Sequence, residues 1–220
     1  MKTRFFLFLA LSLAAFGVSA ASLHVVKVNA PAYNCLFSTN CIIVVNDTVA
    51  PFTTNLPPFT AGTNGGSVSG FLQSRTFAGL PGTPEAGLYG YEYRLVLNKL
   101  VGASSVTIRS MTVNFSPYSS FNYQNQMNKQ VWVVTSGGLG STGPGSATVS
   151  GTKVTFRFNP PLVLSGANGP EVSSYFFGMV SSTQPPAMAN GLATFTGTVK
   201  PTANSAAIPF NYLDLLVRTP

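Results

Sequence analysis

The sequence predicts an all-β protein, a single-domain antiparallel β-sandwich of jelly-roll or immunoglobulin-like type with about ten strands, behind a cleaved signal peptide. Three observations predict it. Apolar and polar residues alternate in short stretches separated by Gly, Pro, Asn and Ser, the pattern of strands and turns. Helical periodicity is absent over any useful length. The chain opens with Lys2 and Arg4 ahead of an apolar run from Phe5 to Leu11 and on to Val18, closed by Val18-Ser19-Ala20, small residues of the kind a signal peptidase reads. Residues 1–20 are therefore the expected leader and 21–220 the sandwich domain, with a cut after Ala21 nearly as acceptable. The run is short for a bilayer and has no charged stop-transfer flank. No second apolar span follows it, so a mature chain without a transmembrane anchor is expected, secreted or at the cell surface.

Leu23 to Val28 and Cys41 to Val45 read as two early strands around a cysteine loop, and Pro51 to Gly66, rich in Pro, Thr, Asn and Gly, as a long surface connection. Val68 to Phe77 is the third strand. Leu88 to Leu97 is the clearest, with Tyr89, Tyr91, Tyr93, Leu95 and Leu97 on one face and Gly90, Glu92 and Arg94 on the other. Val106 to Phe115 changes phase, and a β-bulge near Ser110 reconciles its halves with one buried face. Val131 to Val134 is a short buried strand, Ser136 to Gly145 a Gly-rich loop, and Ala147 to Phe158 a hairpin turning at Ser150-Gly151-Thr152. Leu162 to Leu164, Val172 to Val180, Leu192 to Val199 and Phe210 to Val217 complete the set.

Without the leader, ten Lys and Arg face five Asp and Glu, a formal charge of +5. The bases are scattered along the chain rather than clustered, which argues against nucleic-acid binding. Few charges and many neutral polar residues weaken the repulsion between molecules and ease self-association or contact with a matrix polymer. Export makes Cys35 and Cys41 a disulfide closing one small loop. His24 with Asp47 complements them poorly as metal ligands, so no metal and no cofactor is expected.

Catalytic groups are few. The single histidine, His24, lies near the mature N-terminus, and no Ser stands in a nucleophile-elbow pattern. The strongest enzymatic option is a jelly-roll glycoside hydrolase with Glu92 and Glu171 as its carboxylate pair, which requires their carboxyl groups roughly 5 Å apart for retention and one raised pKa. The most suggestive binding element runs from Ser116 to Asn128: Tyr118, Phe121 and Tyr123 offer ring faces, and Asn122, Gln124, Asn125 and Gln126 offer amides to sugar hydroxyls. Asn46 and Asn114 head glycosylation sequons, and Thr194, Thr196 and Thr198 share one strand face. Together these features predict an exported, non-catalytic protein of adhesion or matrix assembly that binds neutral glycans, with the hydrolase as the alternative.

Overall fold

The computed structural model describes residues 19–59 and 65–220, without the side chains of 212–214. Strands β1 (Ala21–Leu23) and β2 (Val25–Asn29) lead into a one-turn helix α1 (Ala30–Asn34), then β3 (Asn46–Asn55), β4 (Ser67–Ala78), β5 (Tyr89–Val101) and β6 (Ser105–Asn114). A small hairpin, β7 (Phe121–Tyr123) and β8 (Gln126–Lys129), precedes β9 (Val131–Ser136), β10 (Pro144–Ser150), β11 (Lys153–Ser165), β12 (Val172–Ser173), β13 (Phe177–Ser181), β14 (Gly191–Lys200) and β15 (Ile208–Val217). Two large sheets face each other: one has the order β1-β10-β11-β6-β14-β15, the other β2-β9-β13-β5-β4-β3 with β12 beside β5. The pairings are antiparallel except β2 with β9, which is parallel. The predicted leader falls on residues 1–18, outside the described ones, and on Ser19 and Ala20. No helix among the described residues is long and apolar enough to cross a membrane.

Between the sheets lies a continuous apolar core, with Tyr91, Tyr93, Leu95 and Leu97 from β5 against Met111, Val113, Phe156 and Phe195 from the other sheet. The expected bulge in β6 is present: Ser110 pairs Thr196 and Ile108 pairs Gly197, so Arg109 is the extra residue. That shift lets both Ile108 and Met111 face inward. The predicted hairpin is also present, with Ser150 opposite Lys153 and Gly151 at φ 58°.

Several expectations are corrected. Cys41 to Val45 is not a strand, and the pairing starts at Asn46. Pro51 to Gly66 is not wholly a connection, because β3 runs through Pro51 to Asn55. Pro51 is tolerated there because β3 is the sheet's edge and needs no donor on its outer side. The chain also has a helix, α1, with Pro31 in its first turn, where a missing N–H costs nothing. The largest difference concerns β5, which is buried on both faces rather than one.

Candidate functional site

A second, smaller core covers the outer face of the β5 sheet. Its rings come from separate segments: Tyr33 and Phe37 from α1 and the turn after it, Phe77 from β4, Phe121 and Tyr123 from the hairpin, Trp132 from β9 and Phe176 from the approach to β13. Trp132 is central, with ring centroids 4.9 Å from Tyr33 and 5.3 Å from Phe121. Two glycines let the rings lie directly on the sheet: a Cβ at Gly178 would stand 2.8 Å from the Trp132 ring, and one at Gly90 would stand 2.2 Å from that of Phe77. The Cys35–Cys41 disulfide closes the chain segment that caps this layer, and Phe37 and Leu36 carbonyls accept hydrogen bonds from Leu80 and Glu85 N–H groups. Breaking the disulfide with Cys35→Ser and Cys41→Ser is expected to cost about 2 kcal/mol, the entropy of freeing so short a loop. Urea unfolding of the double variant measures it, and an unchanged midpoint would refute a stabilising role.

Beneath this layer lies a transverse row of the sheet: Asp47, Arg75, Glu92, Gly178 and Trp132 pair successively across β3, β4, β5, β13 and β9. The register alone therefore brings the charged groups together. Glu92, 3% exposed, accepts a 2.9 Å hydrogen bond from Trp132 Nε1, and its second oxygen lies 4.0 Å from an Arg75 nitrogen. Arg75 also pairs with Asp47 at 3.1 Å and stacks 3.8 Å over the Phe176 ring. Burial pushes the Glu92 carboxyl up to about 7, against the lowering effects of the Trp132 hydrogen bond and the Arg75 charge. Burial likewise raises Tyr33 well above its usual range, with the charges of Glu92 and Glu85 adding to it. The Tyr33 hydroxyl is buried and has no hydrogen-bond partner. Glu85, also buried in this region, is raised by burial and held back by the Asn122 backbone N–H.

Tyr33, Arg75, Glu92 and Phe176 line a cleft of about 340 Å³ whose walls also include Ile43, Val45 and Val134. The start of the Gly-rich loop, Gly137 to Leu139, forms part of its rim. A carboxyl with raised proton affinity, a buried phenol and a guanidinium set in aliphatic walls can orient a small polar molecule through a few convergent hydrogen bonds.

The structure separates the two carboxylates read as a pair. Glu171 is exposed and immediately precedes β12, whose Val172 pairs Leu97. Leu97 is five strand positions from Glu92, roughly 17 Å along β5, far beyond the spacing of a retaining pair. Glu92 is also not on a solvent face, because the second core covers it. The aromatic and amide loop divides likewise. Phe121 and Tyr123 turn inward, and the Tyr123 hydroxyl accepts a 3.0 Å bond from Asn29 N–H, whereas Tyr118 stays exposed. Asn122, Gln124, Asn125 and Gln126 face out, and Asn122 closes its own hairpin by accepting from Asn128 N–H. Two of the three rings that would stack on a sugar there, Phe121 and Tyr123, are occupied by the core. His24 is exposed and interacts with the Asn128 carbonyl.

Tyr33 and Arg75 are site residues that sequence reasoning missed, and only the cross-strand register of Arg75 and the placement of α1 over the sheet identify them. No family model, no curated protein and no solved structure matches the chain.

Proposed function

We propose that the chain is an exported, non-catalytic β-sandwich, jelly-roll or immunoglobulin-like, that serves adhesion or assembly at the cell surface or in the extracellular matrix by holding one unit of a neutral glycan in the Glu92 cleft. The observation that carries this reading is a cleft of about 340 Å³ whose wall combines Glu92, Arg75 and Tyr33, the Tyr33 hydroxyl being buried and without a partner. A buried polar group without a partner is costly unless something satisfies it. A sugar hydroxyl can do so, while the ring's C–H faces meet Ile43, Val45 and Val134. Export is supported by the leader-like pattern of residues 1–20 and by the disulfide.

Tyr33→Phe separates this role from a structural one. Removing the unsatisfied hydroxyl is expected to stabilise the free protein by about 1 kcal/mol while weakening the capture of a neutral oligosaccharide at least tenfold. A glycan array read with wild type and variant, beside thermal melts of both, measures the two effects. No neutral glycan bound by wild type, or equal binding by both proteins, overturns the reading.

The hydrolase alternative retains one favouring observation, the raised Glu92 carboxyl, which suits a general acid. It lacks the paired Glu171, and Arg75 lies between Glu92 and the neighbouring carboxylate, Asp47. Reducing-end release from any array glycan by wild type, abolished in Glu92→Gln, would reverse the preference.

A further inference from the structure

The outward face of the other large sheet carries a pattern that sequence order conceals. Ser22, Thr148, Thr155, Thr112 and Thr194 pair in succession across β1, β10, β11, β6 and β14, a five-strand row of hydroxyls. Ser110 with Thr196 and Thr107 with Thr198 add two further pairs on the central strands. The hydroxyls are arranged as rails, with Thr112 bonded to Thr155 at 2.9 Å and Ser110 bonded to Thr196.

Four cations cross this face. Arg157 stands opposite Ser110, and the bulge sets Arg109 beside that same serine, so two guanidinium groups flank one hydroxyl pair. Lys153 lies four residues before Arg157 on β11, and Lys200 four residues beyond Thr196 on β14. All four are exposed. Among the described residues none has an ion pair or a side-chain hydrogen bond, for the ion pairs found belong to Arg75. The carboxylates whose side chains are described, Asp47, Glu85, Glu92 and Glu171, lie on or between elements of the opposite sheet or directly before β12, and the fifth acidic residue, Asp214, falls on the edge strand β15 of this sheet. The four cations trace a diagonal of roughly 30 Å from strand spacing and rise. Like charges placed side by side on a sheet repel unless an anion lies between them.

We infer that this face docks an extended acidic polysaccharide, its carboxylates on the Arg109, Arg157, Lys153 and Lys200 diagonal and its hydroxyls on the Ser and Thr rows. Charge density favours this partner over DNA. A duplex carries one charge per ~1.7 Å of axis, whereas four cations across this span suit a polymer with sparse charge. No described aromatic side chain stands in the hydroxyl rows to stack a base. The face is remote from the Glu92 cleft, on the other sheet, so this docking does not rest on the glycan reading of that cleft.

The experiment uses the purified protein with polygalacturonate as the probe, neutral dextran and duplex DNA as comparisons, and immobilised-polymer binding at two salt concentrations. Wild type is expected to bind polygalacturonate, release it as salt rises, and prefer it to both comparisons. Arg109→Ser with Arg157→Ser, both at exposed positions, is expected to lower that affinity at least tenfold and flatten the salt dependence, with the melting temperature retained. Lys153→Ser with Lys200→Ser is a second pair expected to act in the same direction if the first fails to fold. Tyr33→Phe is expected to leave polygalacturonate binding unchanged. Wild type indifferent to polygalacturonate, tighter binding to DNA, or full binding by a folded double variant overturns the inference.

Discussion

Replacing Trp132 with alanine is expected to destabilise the protein by about 4 kcal/mol, the upper range for emptying a fully buried aromatic site, and so to lower its melting temperature by about 12 °C for a chain of this size. The magnitude follows from position. Trp132 is fully buried, touches rings from α1 and from the β7–β8 hairpin, and rests over Gly178, which has no side chain to refill the void. The same substitution deprives Glu92 of the hydrogen bond donated by Trp132 Nε1. Since that bond lowers the Glu92 pKa, its loss is expected to raise it further. Circular-dichroism melts measure the stability change. A loss under about 1 kcal/mol would mean that the second core is a loose cover rather than a packed layer.

Wild type and Glu92→Gln are expected to diverge in stability as pH rises from 5 to 8, by about 2.5 kcal/mol. The sign follows from the direction of the shift. Burial raises the folded-state value from the ordinary 4.5 to about 7, so the folded protein holds the proton more tightly than the unfolded chain. The stabilisation is complete below the ordinary value and is lost as pH rises through about 7. Gln keeps an oxygen that can accept from Trp132 Nε1 and carries no charge to bury, so the variant is expected to be the more stable of the two at pH 8. Glu85, raised in the same direction, contributes to both proteins and cancels in the difference. Urea midpoints across this range give the measurement. Parallel curves for the two proteins would show that Glu92 ionises freely.

Much of the sandwich was legible because its signals are local. The phase change between Ile108 and Met111 is a statement about two neighbouring residues, and it located the bulge that places Arg109 outside the ladder. Ser150-Gly151-Thr152 carried its own turn chemistry. The edge strand Asn46 to Asn55 was hidden because Pro51 and the Thr and Asn residues around it carry loop propensity, which an edge position tolerates.

The cleft was illegible for a different reason. Alternation assigned Glu92 to the face opposite the tyrosines, which is correct, but alternation says nothing about what covers that face. The cover comes from rings in separate segments, among them Tyr33, Phe77, Trp132 and Phe176, and no window of sequence contains them together. Phe121 and Tyr123 illustrate the consequence: within their own loop they resemble a sugar platform, and the second core takes them instead. The pairing of Arg75 with both Asp47 and Glu92 likewise depends on the register of three strands, which has no local signature.

The central claim is that Glu92 is a buried carboxyl on the floor of a ligand cleft. A carbon-detected NMR titration of the glutamate carboxyls tests it most directly, with the resonance assigned by Glu92→Gln and the titration repeated after adding the neutral oligosaccharide that binds best on the array. The expected result is a midpoint for Glu92 near 7 in the free protein, displaced when the sugar is added. A midpoint near the ordinary 4.5, unmoved by the sugar, would contradict both the burial of Glu92 and its place in the binding site.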